Sequence, residues 1–154
     1  IEEVDWQYEV TPLWHAFAVV TAQELALTLA GDRAYIDQER AKWESMLSYY
    51  LEGRFSADPL SPPGISPEHR PVGTFRTRNN CQLAHFIVTL NAFTVQFGRD
   101  ALADLIAALA QRYPPGGAPL TEEAVQRILQ DTFGYEWPPS ELSCKTAQAR
   151  TSGQ

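Results

Sequence analysis

Long apolar runs, metal-ligand spacings and cationic surface are all scarce in these 154 residues, and each scarcity removes a class of function. No window holds 18 consecutive apolar residues. The nearest approach, residues 12–30, contains His15, Gln23 and Glu24, so no membrane span is expected. Lys and Arg number 12 against 19 Asp and Glu, a formal net charge of −7. A nucleic-acid backbone or an anionic bilayer needs a cationic face, so neither is expected as the partner. The only histidines are His15, His69 and His85, and none stands in an HExxH, HxxxH or ExxH pattern. A zincin or di-iron carboxylate site is therefore unsupported, and no metal or other cofactor is expected. No serine sits in a GxSxG context, no glycine-rich phosphate loop occurs, and nothing around Cys81 marks a nucleophile. Nucleophilic and phosphoryl-transfer chemistry go with them, and the balance leans away from an enzyme.

Two cysteines, Cys81 and Cys144, lie far apart without metal-type spacing. They are read as one buried thiol and one exposed thiol in a tail. The alternative is a disulfide, which requires an oxidising compartment and would pin the tail to the core. The chain opens at Ile1, which is read as the start of a processed mature chain, an excised domain or a shortened form, and the compartment is left open.

What the sequence does contain is helical periodicity. It predicts a mostly α fold, a bundle of about five helices with an N-terminal strand or extended arm and a long Pro-rich loop. A single domain is expected over residues 1–139, with the arm at 1–10, the loop at 54–73 and a poorly ordered tail at 140–154. Residues 81–97 carry no charged residue, Pro or Gly, and form the most apolar long run. Read as a helix, this run places Leu83, Phe86, Ile87, Leu90, Phe93 and Phe97 on one stripe and His85, Thr89 and Gln96 opposite. Its β-branched content pulls toward strand, but its length favours a buried helix.

The remaining elements are arranged around it. Val4, Trp6, Tyr8 and Val10 alternate with polar residues as a half-buried strand would, with Val72–Thr77 or Tyr135–Trp137 as its candidate partners. Thr11-Pro12 opens a first helix that Gly31 ends. Its stripe is Leu13, Phe17, Val20 and Leu27, while Trp14, Leu25 and Leu29 widen the apolar surface, so this helix is expected to be covered on more than one side. Asp32 caps a second helix to about Leu51, with Asp37–Arg40 and Glu39–Lys42 as i,i+3 pairs. Thr74–Arg78 reads as extended, Asn79-Asn80 as caps of the central helix, and Asp100 as the cap of a fourth. Thr121 caps a fifth, buried through Val125, Ile128, Leu129 and Phe133, and Gly134 stops it.

Few polar placements bear on function. Glu24 falls inside the apolar stripe of the first helix and needs a partner or a polar pocket. It is read as paired with an arginine of the long loop or a backbone donor. As an alternative it is a general acid or base with a raised pKa, assisted by His85 or by Arg76 and Arg78. Arg76 and Arg78 belong to the only basic concentration, which either binds an anion or pairs with the protein's own acids. Trp6 and Tyr8 are aromatic anchors of the kind interfaces use. The expected function is accordingly a non-catalytic interaction or assembly module, such as a complex subunit, an inhibitor or an immunity-type protein. Its partner would be another protein or a second copy, held through Trp6, Tyr8, Arg76 and Arg78 on the arm and loop. The alternative is a small-molecule-binding protein or enzyme with an interior site around Glu24.

Overall fold

A computed structural model describes residues 11–52, 75–114, 116–140 and 144, with side chains from 12–52, 80–114, 116–140 and 144. Among them are five helices and no strand: α1 (Thr11–Ala30), α2 (Arg33–Leu51), α3 (Phe75–Phe97), α4 (Arg99–Arg112) and α5 (Glu122–Phe133). The expected N-terminal arm and Pro-rich loop, Trp6 and Tyr8 included, lie outside the described residues.

Local chemistry sets most of the helix ends. Gly31 adopts φ 66°, which a side chain would resist, and turns the chain between α1 and α2. The Asp32 carboxylate accepts from the Tyr35 backbone N–H at 3.0 Å and starts α2. The Thr121 hydroxyl accepts from the Ala124 N–H at 3.2 Å and starts α5. Left-handed Gly134 ends it, with two backbone bonds returning to Gln130 and Leu129. Two expected caps are overturned. Asp100 lies inside the first turn of α4, whose cap position is Gly98 at φ 92°. Asn79 and Asn80 lie inside α3, which begins at Phe75. The stretch around Arg76 and Arg78 is thus helical rather than extended, because the hydrogen-bonded ladder of α3 continues N-terminally through it.

α3 is the axle of the bundle, packing most extensively on α1, then α2, then α4. Leu83, Phe86, Ile87, Leu90 and Phe93 are buried as the stripe predicts, and Phe97 is half-buried. The opposite side is buried too, at His85, Thr89 and Asn91. Two buried threonines satisfy their hydroxyls internally, Thr89 on the His85 carbonyl at 2.8 Å and Thr94 on the Leu90 carbonyl at 2.7 Å. At the C-terminal end of α3, Phe93, Phe97, Phe133 and Tyr135 form an aromatic cluster with centroids 5.0–5.9 Å apart.

Of the tail expected from Ser140 onward, the two described residues, Ser140 and Cys144, are held to the bundle, and the rest lies outside the described residues. Cys81 and Cys144 form a disulfide with Cα atoms 5.7 Å apart. This replaces the reading of two free thiols, and both residues are buried. Spacing alone hid the bond, because the bundle, not the local sequence, brings the two residues together. Trp137 packs over Phe86, with ring centroids at 5.8 Å. Ser140 is fully buried, and Glu122 in the first turn of α5 accepts from both its N–H and its hydroxyl.

Candidate functional site

α1 is apolar around much of its circumference, and among the described residues the bundle covers one side of it. Leu13, Ala16, Phe17, Val20, Gln23 and Glu24 are buried. Leu25 is 56% exposed and Leu29 78% exposed, so the second covered side expected from the sequence is not supplied by the described residues. Among these residues, 12–30 also form the one helix long and apolar enough to cross a membrane by length and composition, despite its buried polar pair.

Glu24 does have an arginine partner, but it comes from α2 and not from the loop. Arg40 Nη2 donates to Glu24 Oε1 at 2.8 Å, with side chains only 13% and 11% exposed. The local pair expected for Arg40, with Asp37, gives way to this longer-range one, whereas Glu39–Lys42 forms at 3.9 Å. The choice follows from burial: a carboxylate in an apolar stripe has more to gain from a cation than a solvated one does. Among the described residues, however, Arg40 Nε finds no acceptor, and the side-chain amide nitrogens and oxygens of buried Gln23 and Asn91 find no hydrogen-bond partner.

Beside Glu24 runs a groove between α1 and α4. Thr21, Leu25 and Thr28 line one wall, and Ala103, Ile106 and Ala107 the other, around a volume of about 500 Å³. Its charged members are Glu24 and Arg99. Arg99 donates to the Thr28 hydroxyl, which in turn donates to the Glu24 carbonyl at 2.8 Å. A second depression of about 510 Å³ lies between Trp14 of α1 and Ala110, Tyr113 and Leu120. Trp14 thus meets the end of α4 and Thr28 its beginning, so the two helices run antiparallel and the depressions follow one another along them.

His85 is engaged elsewhere. Its Nε2–H donates to the Pro138 carbonyl at 2.6 Å; a carbonyl can only accept, so this nitrogen carries the proton. Burial pushes the His85 pKa below the ordinary histidine value, against the opposing pulls of the Pro138 carbonyl and the Glu122 charge. Glu122, which from sequence alone is only a favourable charge at a helix N-terminus, accepts three bonds. They come from Trp137 Nε1 at 3.0 Å, the Ser140 N–H at 2.8 Å and the Ser140 hydroxyl at 2.6 Å.

Among the candidates whose side chains are described, Glu24 and His85 are therefore engaged apart from one another. Glu24 is bonded to α2, His85 to the segment after α5, and His15 faces solvent. Arg76 and Arg78 lie on α3 with side chains outside the described residues, and Trp6 and Tyr8 lie outside them altogether. Among the described residues no group of three or more His, Cys, Asp or Glu is placed to hold a metal ion. The features sequence reasoning missed are Arg40, Arg99 and Glu122, for which no local motif stands in the sequence. Compared with known proteins, the chain matches no protein-family model, no curated protein and no solved structure.

Proposed function

We propose that this protein is a non-catalytic recognition and assembly module whose docking face is the α1–α4 groove. The observation that carries the reading is the pair Leu25 and Leu29, one turn apart and exposed on α1, with Leu25 lining an apolar groove. Exposed apolar surface of this kind marks interaction sites more often than isolated leucines do. Supporting it, the polar groups best suited to chemistry are occupied: Glu24 by Arg40, His85 by Pro138. The anchors proposed on the arm and loop side are Trp6, Tyr8, Arg76 and Arg78, which would extend the contact to another protein or a second copy. The Cys81–Cys144 bond supports an oxidising compartment, where such bonds form and persist. Its charge of −7 argues against nucleic acid as the partner.

A small-molecule site around Glu24 is the second reading, favoured by the groove's volume and by Glu24 and Arg99 both lining it. The two readings part in one experiment. Leu25→Glu with Leu29→Glu, in protein whose far-UV circular dichroism is unchanged, should abolish the association of the wild type seen by light scattering. Association that survives both substitutions but is lost in Trp6→Ala with Tyr8→Ala would move the docking face to the arm. A low-mass ligand retained in native mass spectrometry would favour the second reading.

A further inference from the structure

We infer that residues 137–140 gate the Cys81–Cys144 disulfide: a reductant reaches the two sulfurs only when this stretch lifts from α3 and α5, and the Glu122 carboxylate sets how often it does. The gate stands apart from the docking face proposed on α1.

Reduction of the bond needs access to a sulfur. The first thiolate of a dithiol attacks one sulfur, the S–S bond breaks, and the other cysteine leaves as a thiolate that takes up a proton. The second thiol of the reductant then displaces the cysteine still held in the mixed disulfide. Two cysteine thiols remain, and the dithiol, having given up two electrons, leaves as a cyclic disulfide. Cys81 is 0% exposed and Cys144 1% exposed, so neither sulfur can be attacked in the closed protein. Something must move first.

The bundle offers an expensive movement and a cheap one. Cys81 lies on α3, the helix on which α1, α2 and α4 pack, so approach from that side means opening the core. Cys144 belongs to none of the five helices. His85 stands one turn on from Cys81, on the same face of α3. It donates to the Pro138 carbonyl, and Trp137 lies over it and over Phe86 with ring centroids at 6.4 and 5.8 Å. The stretch therefore crosses α3 beside the disulfide. Trp137 and Ser140 are buried under it, while Pro138 and Pro139 face water. It is a single layer of chain, and lifting it separates no helix from the axle.

What keeps it down is concentrated on one group. Trp137 Nε1, the Ser140 N–H and the Ser140 hydroxyl all donate to Glu122 in the first turn of α5. Bonds to a carboxylate are stronger than bonds between neutral groups. Between the two anchors stand Pro138 and Pro139, whose rings fix φ and stiffen the chain. Trp137 and Ser140 are thus released together, and a change at Glu122 is felt along the whole stretch.

Reduction of the folded, oxidised chain by excess dithiothreitol, quenched with iodoacetamide and counted by mass, reads the gate. Ser140→Ala removes one of the three donors, and Glu122→Gln removes the charge they share. Each should speed reduction at least about ten-fold, as loss of a hydrogen bond to a charged group does, in protein whose far-UV circular dichroism is unchanged. Should Glu122→Gln fail to fold, Ser140→Ala and Trp137→Phe, which each lose a single donor, carry the test. Leu102→Ala weakens the core at the start of α4, next to the end of α3 remote from Cys81, and should leave the rate unchanged. If it speeds reduction as much as Ser140→Ala, the sulfurs are reached by unfolding of the whole bundle and the inference is overturned. Folded Ser140→Ala and Trp137→Phe proteins reduced at the wild-type rate overturn it as well.

Discussion

The Glu24–Arg40 pair offers the most direct test of whether the first helix holds its carboxylate for the fold or for chemistry. The contact is 2.8 Å long and nearly nine-tenths shielded from water. Removing one partner of a buried pair leaves the other charge desolvated, at a cost of about 3–5 kcal/mol. Because both side chains keep some exposure, Glu24→Gln and Arg40→Met should each cost about 3 kcal/mol, the lower end of that range. The pair is imperfect, since Arg40 Nε has no acceptor. Replacing both partners, Glu24→Leu with Arg40→Met, should therefore return stability to within about 1 kcal/mol of wild type or above it. Urea denaturation of the four proteins, disulfide intact, measures this directly. At a slope of about 2 kcal/mol per molar, each single variant should shift the midpoint down by roughly 1.5 M. The coupling read from the cycle should be large, as it is for residues in direct contact. A Glu24→Gln protein equal to or more stable than wild type would refute the argument and identify a carboxylate kept at a cost to the fold. So would a double variant as unstable as the sum of the singles.

Three further outcomes can be checked on the same protein. The Cys81–Cys144 bond closes a separation of 63 residues, so its reduction should cost about 4 kcal/mol by loop entropy, read from urea midpoints with and without reductant. His85 is held below its ordinary pKa, so the unfolded chain takes up a proton first as pH falls. Stability should be fully present above about pH 6.5 and decline below it until the folded histidine titrates, and His85→Gln should flatten that slope in pH-dependent melts. Glu122→Gln keeps one acceptor but loses the charge that three donors share, and should cost about 1–3 kcal/mol. Its signature is faster amide exchange at Ser140; unchanged exchange there would mean the disulfide alone holds the segment.

Periodicity and punctuation made the helices legible. Gly31, Asp32, Thr121 and Gly134 each act through bonds to residues within a few positions, so their roles can be read from neighbours. The start of α3 could not, because Arg76 and Arg78 carry no local signal against an extended piece. The propagating ladder of an already nucleated helix decided it. The site was legible only in half. That Glu24 needs a partner follows from its place in the stripe, but which arginine answers depends on how α1 and α2 rest on α3. The same holds for Cys81 with Cys144, across 63 residues, and for His85 with Pro138, across 53. Single-sequence patterning carries no register between distant segments, so it can name a need without naming what meets it.

That division bears on how the function should be sought. Each buried polar side chain that attracted attention as possible chemistry proves, where it is bonded, to be a fastening: Glu24 ties α1 to α2, His85 and Glu122 tie the last described segment to the bundle. A group already committed to a fixed bond is poorly placed to exchange protons with a substrate, since each turnover would break the fastening. The apolar groups show the opposite imbalance. α3 buries its predicted stripe and much of the side that carries His85 and Thr89, and α5 buries Val125, Ile128 and Leu129, whereas α1 leaves Leu25 and Leu29 largely exposed among the described residues. Unspent capacity among the described residues is thus hydrophobic, with two of its largest members on α1 beside a groove whose charged lining is one acid and one base. Such a surface contributes affinity without directionality, which suits holding a partner and does not suit activating a bond.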